Sequence, residues 1–205
     1  MILRSFAVAI LLFGLAGCVS SLSRPAPPVY EYQLDYPAPE ANAASLPVVV
    51  RVARFHAADI YSRNEIAYRE SDHRVASYAY HRWAIDPAVM VGSLVARDLA
   101  ASGVYRAVLR RMSPVRGDYE IDGEIEALEE RSGPPCVAHV EMRGLLLRSR
   151  GGEPIVFQRS YEADEPCTGN DPAKVVVAMS RAVANVSAAL RQDVHEAIAA
   201  DLQQR

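Results

Sequence analysis

The chain is poor in lysine and carries no excess of positive charge. Of its 205 residues, 22 are Lys or Arg and 25 are Asp or Glu, so the formal net charge is −3, and Lys174 is the sole lysine. A nucleic-acid-binding domain needs a basic face that neutralises phosphates, and this balance argues against one. Half of the residues are apolar and 23% are charged. That composition excludes a disordered chain and is typical of a globular domain.

Long hydrophobic runs are also scarce. The main apolar run, residues 6–15, is too short for a bilayer core of about 30 Å, which takes about 20 helical residues to span. A multi-span membrane protein is therefore excluded. The run follows Arg4 and precedes the small residues Ala16 and Gly17, which is the arrangement of a secretory signal peptide.

The end of this signal peptide indicates a lipid anchor. Leu15-Ala16-Gly17-Cys18 resembles the bacterial lipobox, which implies cleavage before Cys18 and attachment of a diacylglyceryl group and an N-acyl chain, such as palmitate, to Cys18. Several acyl chains give stable attachment, because each buried CH₂ contributes about 0.8 kcal/mol. Val19 follows Cys18 where Asp would retain the protein in the inner membrane, so the expected location is the periplasmic face of the outer membrane. The alternative is a chance cysteine after an ordinary signal peptide.

These features divide the chain into three parts. Residues 1–17 are the expected signal peptide, and residues 18–29 are the lipidated Cys18 and a small, polar, proline-rich tether. Residues 30–205 form one periplasmic domain. Its two cysteines, Cys136 and Cys167, are expected to form a structural disulfide in an oxidising compartment. Two free thiols, or a redox or metal pair, are the alternatives.

Motifs that would indicate an enzyme are missing. The sequence has no GxSxG, P-loop or GxGxxG motif, and its five histidines show no metal-ligand spacing. We expect no catalytic residues, no metal and no cofactor besides the covalent lipid on Cys18.

Alternating and helical periodicities predict an α+β domain. Strands are predicted at 30–34, 48–52, 65–69, 75–83, 105–109, 118–127, 137–148 and 155–161. Asp86-Pro87 and Asp171-Pro172 each place an N-cap before a proline at the first helical position. The second helix has apolar residues every three or four positions and is expected to run for about 30 residues, or about 45 Å. The predicted architecture is a mostly antiparallel sheet with both helices, including the long C-terminal one, on one face.

A row of carboxylates follows one face of the strand predicted at 118–127. The row consists of Asp118, Glu120, Asp122, Glu124 and Glu126, and Tyr119, Ile121, Ile125 and Ala127 are expected to be buried on the other face. The row suggests either a cation site or a solvated face whose repulsion is relieved by Arg143, Arg148 or Arg159 on neighbouring strands. No ligand loop accompanies it, which favours the solvated face.

Aromatic residues concentrate between positions 61 and 83. Tyr61, Tyr68, Tyr78, Tyr80 and Trp83 fall within 23 residues. Such a cluster suggests a docking surface or an acyl-chain groove. Packing of the sheet against the helix is the equally weighted alternative.

Two segments carry a family likeness. Residues 59–69, DIYSRNEIAYR, and residues 80–87, YHRWAIDP, resemble the signature of the ABC-type transport auxiliary lipoproteins, which include the paraquat-inducible C-type lipoproteins. The resemblance implies a non-enzymatic envelope component that works with an ABC transporter and an MCE-type (mammalian cell entry) substrate-binding protein to move lipids between the two membranes.

Partner or lipid contacts are expected in the same segments, where arginines would bind phosphates or carboxylates bidentately. The predicted contact residues are Tyr61, Arg63, Tyr68, Arg69, Arg82 and Trp83. Replacing Arg69 and Trp83 by alanine is expected to leave folding intact but to abolish co-purification with the MCE-type partner. The alternatives are a lipid carrier with a groove between the helix at 91–99 and the sheet, and a purely structural envelope lipoprotein.

Overall fold

The structure is a computed structural model that describes residues 26–41, 45–110, 113–150, 154–168 and 171–204. Its strands within these ranges are β1 (Tyr30–Tyr32), β2 (Leu46–Val52), β3 (His56–Ala57), β4 (Glu65–Ser71), β5 (Arg74–Trp83), β6 (Tyr105–Leu109), β7 (Tyr119–Arg131), β8 (Val137–Arg148) and β9 (Ile155–Pro166). Its helices are α1 (Pro87–Ala101) and α2 (Pro172–Gln203). The predicted signal peptide and Cys18 lie outside the described residues.

β7 is the central strand of one mixed sheet. Along one edge it pairs with β8, which in turn pairs with β9, both antiparallel. Along the other edge β2, β3 and β4 follow one another and all pair parallel to β7. Strand β6 lies beyond β2, and β5 and β1 lie beyond β4. The sheet therefore has two arms along the same edge of β7. The arm of β2 and β6 pairs with the beginning of β7, and the arm of β4, β5 and β1 pairs with its end.

The predicted α+β class is confirmed. Most paired residues of the described sheet lie in the antiparallel ladders β4–β5, β7–β8 and β8–β9. The parallel pairings of β1, β2, β3, β4 and β6 are shorter. Periodicity does not predict them, because strand direction depends on the long connections between strands rather than on the pattern within one strand.

Both helices begin as the sequence predicts. The Asp86 carboxylate accepts hydrogen bonds from the Ala88 and Val89 amides at 2.8 and 3.3 Å. The Asp171 carboxylate accepts one from the Ala173 amide at 3.0 Å. These caps satisfy donors that have no partner within the helix, and a proline follows each cap where its missing N–H costs nothing.

The helices cover one face of the sheet and form the main core with it. α2 has 32 residues, so it is about 48 Å long. Its buried stripe contains the residues predicted from periodicity: Val175, Met179, Val183, Val186, Leu190, Val194 and Ile198. Within the described ranges α2 is the one helix long and apolar enough to cross a membrane, but its apolar stripe packs on β8 and β9. It is therefore the core helix of the domain.

The two helices are also joined by a buried polar contact. The Asp98 carboxylate of α1 accepts hydrogen bonds from the Ser187 hydroxyl of α2 at 2.7 Å and from the Tyr36 hydroxyl at 2.8 Å. Arg97 donates to the other Asp98 oxygen at 2.9 and 3.0 Å. A buried carboxylate with several donors is stabilised rather than stranded. The contact fixes α1 against α2 and against the chain that follows β1.

Candidate functional site

The segment that carries the family signature contributes a buried polar cluster to the helix-free face of the sheet. The Tyr61 hydroxyl donates to Glu129 Oε2 at 2.6 Å, and Arg69 Nε donates to Glu129 Oε1 at 2.5 Å. Arg69 also donates to the Tyr61 hydroxyl at 3.1 Å. The Glu129 side chain is 1% exposed and that of Arg69 is 26% exposed. Tyr61 and Arg69 thus hold a buried carboxylate that the sequence analysis did not single out.

Burial raises the pKa of several tyrosines in this fold. Burial raises the pKa of Tyr61 to about 12, and the hydrogen bond to the Glu129 carboxylate adds to the shift. The hydrogen bond to Glu129 also raises the pKa of Arg69. Burial is the main cause of the raised pKa of Tyr36, Tyr78, Tyr105 and Tyr161 as well. Tyr36, Tyr61, Tyr78 and Tyr161 each donate a hydrogen bond to a carboxylate as neutral hydroxyls, and Tyr105 is buried in the main core.

Trp83 and Tyr68 lie on the helix side of the sheet. Trp83 is 2% exposed and belongs to the main core. The Tyr68 ring centroid is 4.9 Å from that of Tyr78, and the Tyr78 hydroxyl donates to the buried Glu130 at 2.5 Å. A partner surface cannot reach the Trp83 side chain while the core is intact. Its expected contact role is therefore corrected to a packing role.

The aromatic cluster does not form one surface. Tyr61 and Trp83 are buried, Tyr78 packs against the main core, and Tyr80 is 45% exposed. The packing alternative accounts for most of the cluster. Arg69 is the partner of a buried carboxylate and Trp83 fills the core, so we now expect that replacing either by alanine destabilises the fold, contrary to the expectation from the sequence.

Arg63 and Arg82 remain accessible. Arg63 is exposed in the turn that precedes β4. Arg82 donates to Glu31 Oε1 at 2.6 and 3.1 Å, with the two side chains 49% and 52% exposed. An ion pair this exposed contributes little stability, about 0–1 kcal/mol. Both guanidinium groups are thus free to take part in binding at little cost to the fold.

The carboxylate row of β7 is a partly neutralised, solvated face. Arg143 on β8 forms ion pairs with Glu124 and Glu126, and Arg51 on β2 bonds to Glu120 at 3.1 Å. No group of acidic, histidine or cysteine residues suited to hold a metal occurs among the described residues. Of the arginines expected to relieve the repulsion, Arg143 does so. Arg148 and Arg159 pair with Asp201 and Asp193 of α2 instead.

A bulge corrects the predicted faces of β7. The register against β8 shifts between Ile125 and Ala127, which leaves Glu126 as the extra residue. A bulge exchanges the faces of the residues beyond it. Tyr119, Ile121 and Ile125 face the helices as predicted, but Ala127 lies in the small cluster with Tyr61 on the opposite face.

Cys136 and Cys167 are joined by a disulfide. Their Cα atoms are 5.2 Å apart, and the Cys167 amide donates to the Cys136 carbonyl at 3.0 Å. The bond ties the beginning of β8 to the residue after β9, as the sequence analysis expected. In this structure the two cysteines are therefore neither free thiols nor a metal-binding pair.

Among the described residues, the helix side of the sheet is closely packed under α1. Val91, Val95 and Leu99 are buried in the core. An opening lies instead at the edge of α1, beside Phe55, with a volume of about 180 Å³. Drug-sized ligand sites begin at about 300 Å³, so this opening is too small to enclose a two-chain lipid.

Comparison with known proteins identifies the family. The sequence model of the ABC-type transport auxiliary lipoprotein component family matches residues 32–191. The chain belongs to this family. Members of this lipoprotein family act as auxiliary components of ABC-type transport, so membership associates the chain with an ABC transport system and with the cell envelope. No curated protein matches the chain.

Solved structures share the fold of this auxiliary lipoprotein. A Xanthomonas campestris protein of the DUF330 family is 23% identical, with a TM-score of 0.78 over 85% of this chain and 99% of that one. A hypothetical protein from Chlamydia trachomatis is 10% identical, with a TM-score of 0.53 over 76% of this chain and 99% of that one. At these identities the likeness shows the fold alone.

Proposed function

We propose that this auxiliary lipoprotein is a non-enzymatic outer-membrane component of an ABC/MCE-type system that moves lipids across the cell envelope. The observation that carries the proposal is the family match over residues 32–191. The MCE-type partner and the lipid cargo are what the family resemblance implies.

The anchor and tether suit a protein that reaches from a membrane to a partner. Residues 19–29 separate Cys18 from β1, and an extended chain of eleven residues spans at most about 36–40 Å. Residues 26–29 are exposed. A lipidated Cys18 would hold the domain within this distance of the outer membrane, where it would receive or anchor the far end of the transport assembly.

Accessible arginines are the proposed partner contacts. Of the six residues that the sequence singles out, Arg63 and Arg82 combine positive charge with exposure. Guanidinium groups bind carboxylates and phosphates bidentately. Arg69 and Tyr61 would act indirectly, by fixing β4 and the turn that presents Arg63.

The test is recovery of the full-length lipoprotein from its own envelope in mild detergent, with mass spectrometry of the proteins that come with it. Recovery of an MCE-type protein together with an ABC ATPase supports the proposal. Recovery of the lipoprotein without either, under conditions that preserve other envelope complexes, contradicts it. A variant with Arg63→Glu and Arg82→Glu should lose the partner. A control with Arg106→Glu and Arg116→Glu, which reverses two exposed arginines elsewhere, should keep it.

Anchoring and location are tested separately. The Cys18→Ser variant should move from the membrane pellet to the soluble fraction, and the wild-type chain should incorporate a labelled palmitate. Density-gradient separation of the two membranes should place the wild-type chain in the outer-membrane fractions. A chain that stays membrane-bound after Cys18→Ser would refute the lipid anchor.

A further inference from the structure

The opening at the edge of α1 is an apolar groove with a positively charged rim. Its apolar wall is formed by Val52 and Phe55 on one side, and by Ala88, Val89, Gly92 and Ala96 of α1 on the other. Arg54, Ser93 and Arg110 also line it. None of these lining residues belongs to the signature segment or to the β7 carboxylate row, although the groove adjoins the signature segment at Asp86, which lies 3.8 Å from Arg54.

Small side chains keep the groove open. Ala88, Gly92 and Ala96 recur every four residues and therefore lie above one another on one face of α1. A Cβ atom on Gly92 would lie 3.1 Å from Cγ of Phe55, so the Phe55 ring packs directly on the helix backbone. Larger residues at positions 88 and 96 would fill the space, whereas a larger residue at position 92 would collide with the Phe55 ring.

The charged groups of the groove are cations. Arg110 is exposed and has no ion pair with a residue that the structure describes. Arg54 lies 3.8 Å from Asp86, and both side chains are largely exposed, so this contact is weak. An apolar channel beside two available guanidinium groups is complementary to an acyl chain with an anionic head.

We propose that this groove binds one end of a fatty acid, with the carboxylate held by Arg54 and Arg110. Its volume of about 180 Å³ exceeds slightly the roughly 150 Å³ of a cavity that takes up benzene, so the groove holds about six to eight carbons of one chain. A longer acyl chain extends beyond the groove, and a second chain finds no room in it. The proposal concerns this chain alone and does not depend on which transport partner the lipoprotein has.

Photolabelling of the full-length lipoprotein in envelope membranes tests the site. The probe is a photoactivatable fatty acid with an alkyne handle, and the labelled peptide is identified by mass spectrometry. Labels should fall on the peptides that contain Phe55 and residues 88–96. Decanoate should compete for the labelling, whereas decylamine, which has the same chain and the opposite charge, should not.

Two matched pairs of variants decide the outcome. Ser93→Phe places a ring in the groove from its exposed rim and should abolish competable labelling, while Ser93→Ala should preserve it. Arg110→Gln should weaken competition by decanoate about tenfold, since a hydrogen bond between charged groups is worth roughly 1.5–3 kcal/mol. Arg116→Gln, at an exposed arginine outside the groove, should have no effect. Thermal unfolding of each variant confirms that it is folded.

Three results would overturn the proposal. The first is labelling that decanoate does not reduce, the second is equal competition by decanoate and decylamine, and the third is labelling that persists in a folded Ser93→Phe variant. The envelope pull-down described above gives an independent answer. Fatty-acid binding in the groove can therefore be disproved while the proposed transport role is supported. The transport role can likewise be disproved while fatty-acid binding is supported.

Discussion

The ion pair between Arg69 and Glu129 offers the sharpest test of the packing argument. Replacing Arg69 by alanine leaves the Glu129 carboxylate, 1% exposed, with the Tyr61 hydroxyl at 2.6 Å and with Arg131 Nε at 3.7 Å. Loss of one partner of a buried ion pair costs about 3–5 kcal/mol. Because Arg69 is itself 26% exposed and Arg131 remains nearby, we expect a loss at or just below the bottom of that range, about 2–3 kcal/mol.

The matched control is Arg82→Ala. Arg82 also pairs with a glutamate, Glu31, but both side chains are about half exposed. This variant should lose no more than about 1 kcal/mol. Trp83 is the only tryptophan and is buried, so its fluorescence reports unfolding directly. We expect urea titration of the full-length chain in non-denaturing detergent to give the highest unfolding midpoint for the wild type, a slightly lower one for Arg82→Ala and the lowest for Arg69→Ala.

A double variant separates the missing charge from the missing packing. Arg69→Met combined with Glu129→Leu removes both charges and keeps apolar volume, so it should recover much of the stability that Arg69→Ala loses. If Arg69→Ala unfolds at the same urea concentration as Arg82→Ala, the buried Glu129 carboxylate does not need Arg69 as a partner. If the double variant is less stable than Arg69→Ala, the stability lost in Arg69→Ala does not come from an unpaired Glu129 carboxylate.

Three further predictions concern the core and the loops. Trp83→Ala should cost about 3–5 kcal/mol and Trp83→Phe clearly less, measured by urea titration followed by circular dichroism; equal losses would contradict a packing role. Reducing the bond between Cys136 and Cys167, which are 31 residues apart, should cost about 3–4 kcal/mol on the chain-entropy estimate. An unchanged melting temperature in dithiothreitol would show that the bond contributes nothing. The contribution of the buried tyrosines to stability should be constant up to about pH 10 and fall as the pH rises towards 12. Burial raises the pKa of Tyr61 to about 12 and also raises that of the other buried tyrosines, so the folded state retains protons that the unfolded state releases. Absorbance at 295 nm should show fewer tyrosinates in the folded chain than in urea at pH 11, and equal numbers would refute the pH argument.

Local sequence signals account for the elements that the structure confirms. The caps at Asp86 and Asp171 involve atoms within three residues of each other. They can therefore be predicted from the local sequence without knowledge of the rest of the fold. The stripe of α2 and the alternation of β7 up to Ile125 follow from the fixed periods of helix and strand. The pairing of Cys136 with Cys167 needed only the count of cysteines in an oxidising compartment.

The sequence by itself determined the class of the domain, the starts and faces of its helices and the family to which it belongs. Tertiary structure alone decided which candidate residues are accessible. One extra residue at Glu126 turned Ala127 to the opposite face, because a bulge shifts the period of two. The parallel arms of the sheet brought Arg69 and Tyr61 to Glu129, 60 and 68 residues away along the chain, and buried Trp83 in the core. Such contacts depend on which distant strands pair and in what direction, and the local sequence pattern does not predict that pairing.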